Sequence, residues 1–343
     1  MKAAVAACLV LLTALPLWAE TFRIALYNTE LSQKGPGLLL RGLEQHSLPR
    51  ADAVIDVIEN ADPDILVLQN FDWDLQARTL KALQSRLSER GLTYPHLFTA
   101  RPNSGMPTGL DMDGDGRTGG PRDAQGYGDF VGAHGMAVLS RYPVMSDQLV
   151  DLSDQRWTGF PWADLPQFPD ERPFPSAEAQ AQQRLSSTNH WILPVRLSQD
   201  AQVDLMIFNP TPPVFDGAED RNGKRNHDEI ALWTHVLDSD LAPAHPVIVI
   251  GDANLDPLGG DGLHAAIQSL LNHPRLQDPR PTDPAGHEAT VNWQQTGPLR
   301  VDYILPDARL MVRAAGIAWP DDANTAAEHA SRHGLVWLDV DIP

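Results

Sequence analysis

Apolar and polar positions follow two different periods along the chain, and the switches between them mark out its elements. Thr21–Tyr27, Gly135–Ser140, Trp191–Leu197, Val203–Asn209, Arg300–Leu305 and Leu335–Val340 read as strands. Asp64–Gln69, with Ile-Leu-Val-Leu between its polar ends, and the apolar run Val247–Ile250 read as strands, the latter with the pattern of a strand covered on both faces. Ala51–Ala61 sets Val54, Ile55, Val57 and Ile58 at helical spacing, and Leu75–Arg90 is a second amphipathic helix closed by Gly91. Helices are also predicted at His227–Leu237 and Leu263–Leu271. Two stretches have no period: residues 101–133, rich in Gly, Asp and Pro, predict a long loop, and Gln155–Pro175, crowded with Pro, Trp and Phe, predicts a packed surface flap.

Some strands are separated by helices and others by loops too short for a helical crossover. That mixture predicts an α/β protein with a mixed sheet, or two mixed sheets packed together. No repeat or linker divides the chain, so residues 20–343 are expected to form a single domain. Residues 1–19 carry Lys2, an apolar stretch from Ala3 to Leu17, and Leu17-Trp18-Ala19 before Glu20, the layout of a secretory signal peptide. A secreted or periplasmic protein is therefore expected, with a short retained membrane anchor as the alternative. No later segment is long and apolar enough to cross a bilayer, and the single cysteine, Cys8, lies inside the leader. The formal charge of −19 repels a polyanion, which makes a nucleic-acid partner unlikely and favours a small substrate.

The chemistry-bearing residues collect where apolar strands end. Asn28 and Glu30 follow the first, Asn70 the second, Asn209 a middle one, and Asp252 and Asn254 end Val-Ile-Val-Ile-Gly-Asp-Ala-Asn. Asp302 lies within Leu-Arg-Val-Asp-Tyr-Ile-Leu, and Arg332-His333 precedes the last strand. Together with Gly251-Asp252-Ala253-Asn254, Arg300-Val301-Asp302-Tyr303 and Gly135-Met136-Ala137-Val138-Leu139-Ser140-Arg141, this set resembles the endonuclease/exonuclease/phosphatase family from about Phe22 to Val340. The resemblance implies a four-layer sandwich, two packed mixed β-sheets with helices outside, and phosphoester hydrolysis assisted by Mg²⁺ or another divalent ion. It also implies roles. In-line attack on a phosphate builds negative charge, so a site needs a base for water, hydrogen-bond donors and a cation. Asp252 would orient or deprotonate the water, Asn254 and Asn28 would donate to phosphate oxygens, and His333, held by Asp302, would be a charged donor. Glu30 could touch the metal.

The chain departs from the family pattern at three positions. Asn70 stands where a metal-binding Glu is usual, Arg332 where an Asp precedes the His, and Asn209 where a strand often ends in a catalytic His. These changes predict weakened Mg²⁺ binding at Glu30, Asn70 and Asp252. They also predict that Arg332, with Asn209 nearby, binds phosphate directly through its planar fork. The alternatives are a metal site remodelled on Glu30, Asp252 and Asn254, and a catalytically silent phosphoester-binding protein on the same scaffold.

Three further features stand outside that set. Asp111, Asp113 and Asp115 set oxygen ligands at alternate positions with a Gly for the turn, as calcium loops do, so a structural Ca²⁺ and a solvated acidic turn are both open. Arg221 and Lys224-Arg225 predict a phosphate-recognition loop ahead of a helix, Arg225 being its candidate contact. His134 either faces the cleft or is solvated, and Trp157, Phe160, Trp162, Phe168 and Phe174 are expected to anchor the flap.

Overall fold

The computed structural model describes residues 20–320 and 330–342; the leader expected at residues 1–19 lies outside them. Thirteen strands and six helices follow in chain order: β1 (Thr21–Asn28), α1 (Leu38–Glu44), α2 (Pro49–Ala61), β2 (Ile65–Gln69), α3 (Arg78–Glu89), β3 (His96–Phe98), β4 (Ala137–Ser140), β5 (Val150–Asp151), α4 (Ala177–Gln182), β6 (His190–Arg196), β7 (Gln202–Phe208), α5 (Arg221–Leu237), β8 (Val247–Asp252), α6 (Ala265–Leu271), β9 (Val291–Trp293), β10 (Gly297–Leu299), β11 (Asp302–Pro306), β12 (Met311–Ala318) and β13 (Leu335–Asp341). They build a six-stranded sheet, β12-β13-β1-β2-β4-β3, a five-stranded sheet, β11-β8-β7-β6-β5, and the hairpin β9-β10. Each large sheet is mixed. β1 runs parallel to β2 and antiparallel to β13, and β7 runs parallel to β8 while β8 runs antiparallel to β11.

The period of two along β1 explains the layers. Phe22, Ile24 and Leu26 point between the sheets, where they meet Leu193, Leu205, Ile207 and Ile250 from the other side. Ala25 and Tyr27 face outward to α1, α2 and α3, packing with Leu39, Val54, Ile58 and Leu83. On the opposite outer face, Met206, Phe208 and Val249 pack on Trp233 and Val236 of α5 and on Ile267 and Leu270 of α6. The result is helices, sheet, sheet, helices, the four layers expected.

Several element boundaries differ from the sequence reading. The α3 helix starts at Arg78 instead of Leu75 because the Asp74 carboxylate takes the N–H groups of Gln76, Arg78 and Thr79, which tightens the entry. The α1, α4, β3, β5, β9, β10 and β12 elements lie where the pattern showed no element. The flap at Gln155–Pro175 is anchored as expected: Trp157 is buried and donates its indole N–H to Asp228 at 2.7 Å, and Trp162 stacks on His235 with centroids 4.2 Å apart.

Candidate active site

The two sheets meet at the ends of β1, β2, β8 and β11. In register, Asn28 lies beside Gln69 and Asp302 beside Asp252, so four polar side chains arrive at one edge. Gln69, fully buried, ties the sheets together there. Its Oε1 accepts the Asp252 N–H at 2.8 Å and its amide donates to the Phe208 carbonyl at 2.7 Å. Gly251 makes this approach feasible, since a Cβ there would stand 2.0 Å from the Phe208 carbonyl oxygen.

From that seam a continuous buried chain of polar contacts extends. The Asn28 amide donates to Asp252 Oδ2 at 2.8 Å and lies 3.4 Å from His333 Nε2. His333 Nδ1 meets Asp302 Oδ2 at 2.8 Å, and the Asn254 N–H reaches Asp252 Oδ1 at 2.7 Å. Thr290 Oγ1 accepts the N–H groups of both Val301 and Asp302 at 3.0 Å, fixing the start of β11. Asn28, Asp252, Asn254, Asp302 and His333 therefore converge, although they are spread over three hundred positions of sequence.

Burial dominates the electrostatics. Loss of solvent, then the neighbouring charge of Asp302, pushes the Asp252 carboxyl up to about 7. Burial opposes a charged His333, yet the charge and hydrogen bond of Asp302, with Asp252 and Glu30 beyond, outweigh it and hold His333 up to about 9. At neutral pH the imidazole is charged, Nδ1–H donates to Asp302, and Nε2–H is left for the cavity side.

Asn28, Asp252, Asn254 and His333, with Asp302 buried behind the imidazole, form the floor of a cavity of about 650 Å³, lined also by Glu30, Asn70, His134, Asn209 and Arg332. The volume suits a small ligand. Five non-glycine lining residues adopt the left-handed backbone region: Glu30 (φ 48°), Asn70 (φ 55°), His134 (φ 55°), Phe215 (φ 72°) and Asn254 (φ 52°). Such strain collects where function over-determines the backbone. His134 faces the cavity, with Nδ1 2.7 Å from Asn70 Oδ1, and burial lowers its basicity. Asn209 lines the wall, and its carbonyl accepts the Ser187 hydroxyl at 3.3 Å.

The divalent ion that the resemblance implies would draw on Glu30, Asn70 and Asp252. Both Glu30 oxygens are engaged by Arg332: its Nε donates to Oε1 at 2.8 Å, Nη2 shares that oxygen, and its backbone N–H donates to Oε2 at 2.9 Å. Burial would raise the Glu30 carboxyl, but these bonds hold it below the usual carboxylate range. Asn70 offers a neutral oxygen already facing His134, and both Asp252 oxygens accept hydrogen bonds. Mg²⁺ needs near-octahedral oxygens with carboxylates among them. With every carboxylate oxygen of this set partnered and a guanidinium alongside, the residues do not fit it.

Among the described residues, two acidic groups do bring their donor atoms within 4.8 Å of one another. In the first, Asp252, Asp302 and His333, the imidazole Nδ1 meets Asp302 Oδ2 at 2.8 Å and both Asp252 oxygens accept hydrogen bonds. In the second, Asp111, Asp113 and Asp115, the oxygens accept N–H groups of Gly114, Gly116, Asp115 and Arg117, and the Arg221 guanidinium lends positive charge to Asp113.

Arg225 requires a correction. It lies inside α5, which begins six residues earlier than the pattern indicated, and its guanidinium is buried against the carbonyls of Gln125, Arg184, Leu185 and Ser186 at 2.7 to 3.1 Å. No phosphate can reach it. The run Arg225, Asn226, Asp228 and Glu229 is a buried polar spine that holds loops: Asn226 donates to the Thr211 and Ala253 carbonyls at 2.8 Å, and Glu229 accepts the N–H groups of Ser187 and Thr211. Arg225→Met is expected to cost about 3 to 5 kcal/mol of stability, measured by urea unfolding, because four carbonyls lose a buried charged donor. Gln69 and His134 carried weaker signals: a polar residue ending an apolar run, and a histidine beside a strand.

Among curated proteins no sequence matches the chain. Solved structures match the fold over most of its length. An endonuclease/exonuclease/phosphatase from Beutenbergia cavernae is 18% identical with a TM-score of 0.55, covering 94% of this chain and 72% of that one. Sphingomyelinase C from Streptomyces griseocarneus is 17% identical with a TM-score of 0.52, covering 93% and 99%. The human Nocturnin catalytic domain, with a bound sulfate anion, is 16% identical with a TM-score of 0.50, covering 94% and 95%. The sequence profile of the Endonuclease/Exonuclease/phosphatase family matches residues 27–333, nearly the whole chain, and with the four layers and the strand-end cluster this means that the protein belongs to that family.

Proposed function

We propose that the protein hydrolyses a small phosphoester at the cavity floor. The observation that carries this reading is the buried chain Asp252, Asn28, His333 and Asp302, which pairs a carboxylate able to take a proton near neutrality with a charged imidazole. Water attacks phosphorus in line and gives its proton to Asp252 as the new P–O bond forms and the bond to the leaving oxygen breaks. His333 Nε2–H and the amides of Asn28 and Asn254 stabilise the charge that builds on the phosphoryl oxygens. Arg332 keeps Nη1 free of Glu30 and offers it to the same oxygens. Export is part of the proposal and rests on the pattern of residues 1–19; among the described residues no helix is long and apolar enough to cross a membrane.

The test is release of p-nitrophenol from bis(p-nitrophenyl) phosphate and from p-nitrophenyl phosphate by the purified protein, with and without EDTA. Turnover is expected in EDTA, with Asp252→Asn lowering kcat by about 10²-fold or more at unchanged fold. Failure to turn over either ester, with or without added Mg²⁺, Mn²⁺ or Ca²⁺, overturns the reading.

A further inference from the structure

The cavity has two unlike halves, and only the floor is accounted for by phosphoryl chemistry. Its upper wall is formed by Tyr127, Pro213, Val214, Phe215, Trp293 and Leu299. Tyr127 and Phe215 are 58% and 74% exposed. Large apolar side chains in solvent around one concave mouth mark a binding surface.

The wall is held in place. Thr211 N–H is bound by Glu229 at 2.8 Å, the Pro210 carbonyl by Asn254 at 3.1 Å, and the Val214 carbonyl by Asn222 at 2.7 Å. Three prolines at 210, 212 and 213 stiffen the same loop. Across from it, Gly262 (φ 126°) packs so closely that an added Cβ would stand 3.0 Å from Pro213 and 2.8 Å from Leu255. A rigid loop that nevertheless presents Phe215 outward from left-handed backbone is arranged to hold that ring for a ligand. The charge at the mouth narrows the choice. Glu30, Asp256 and Asp261 are acidic, and among the described residues the only lysine or arginine in the lining is Arg332, paired with Glu30 through Nε and Nη2. With Nη1 of Arg332 given to the phosphoryl group on the floor, a second phosphate would meet no further lysine or arginine among the described residues of the lining, so nothing on this wall rewards a polyanion.

We infer that the substrate is a phosphodiester whose second ester group is apolar, its phosphoryl centre on the Asp252–His333 floor and its apolar part against Phe215, Tyr127 and Trp293. This rests on the phosphoesterase reading and names the substrate class of the same cavity. An aryl ring and an acyl chain share the chemistry, and the experiment separates them. Calorimetric titration of the full protein with dimethyl phosphate, methyl phenyl phosphate and methyl hexyl phosphate is expected to show the phenyl or hexyl ester binding about 10-fold or more tighter than the dimethyl ester. Preference for phenyl assigns a ring, and preference for hexyl a chain. The Phe215→Ala/Tyr127→Ala variant, altered only at exposed side chains, should lose most of that preference. Equal affinity for the three esters, or a preference that survives the double variant, overturns the inference while leaving the phosphoesterase reading intact. If none of the three binds and bis(p-nitrophenyl) phosphate is not hydrolysed, both fall.

Discussion

The rate of phosphodiester hydrolysis is expected to follow a bell in pH, rising through about 7 and falling through about 9. Asp252 accepts a proton only when ionised, and burial, followed by the charge of Asp302, keeps it protonated up to about 7. Below that value the rate should drop about tenfold per pH unit. His333 acts as the charged form, so its contribution persists up to about 9 and disappears above it. Asp302 sets both limbs in the same direction, because its negative charge raises Asp252 and His333 alike. Asp302→Asn should therefore move the whole bell toward acid, and the alkaline limb should move most. Burial would then act on His333 without the carboxylate that offsets it. His333→Ala should erase the alkaline limb and lower kcat/KM by about 10² to 10⁴-fold. A merely structural histidine would cost stability without moving either limb. An alkaline limb unchanged in Asp302→Asn would contradict the assignment.

The fold was legible where burial on both faces writes an unambiguous pattern. Val247–Ile250 and Ile65–Leu68 have no polar residue on either face because helices cover one side and the partner sheet the other. The β12 strand was missed for the opposite reason: it is the edge of its sheet, and Met311, Arg313 and Ala314 are exposed. The start of α5 was misread because its inward face is polar. Arg225, Asn226, Asp228 and Glu229 are buried, yet their composition matches a solvated turn, since hydrogen-bond partners supplied by distant loops leave no trace in local sequence. The floor of the site was readable because each member stands at or beside one end of a recognisable strand. The Arg332–Glu30 pair joins residues 302 positions apart, and sequence could show only that a guanidinium replaced a carboxylate.

Exchanging that pair is expected to create a metal site. In the double variant Asn70→Glu/Arg332→Asp the cavity changes by three units of negative charge, Glu30 is released from its partner, and a new carboxylate stands at the end of β2. Each unit interacts with a cation about 4 Å away by roughly 1 kcal/mol in water and roughly 4 kcal/mol at the moderate dielectric of a protein cleft. Desolvation offsets much of this. Even the lower figure, taken over three units, predicts Mg²⁺ affinity about 10²-fold above that of the natural protein. Calorimetry with Mg²⁺ alone should show no saturation for the natural protein in the millimolar range and a saturating isotherm for the double variant. The single variants divide the effect: Arg332→Asp frees Glu30 and should recover most of the affinity, whereas Asn70→Glu alone leaves the guanidinium in place and can pair with it instead of a metal. Tight Mg²⁺ binding by the natural protein would mean that Glu30 leaves Arg332 for the ion, and the hydrolysis assay in EDTA would then fail with it. Both measurements therefore turn on a single physical question, whether the guanidinium or a divalent ion holds the Glu30 carboxylate.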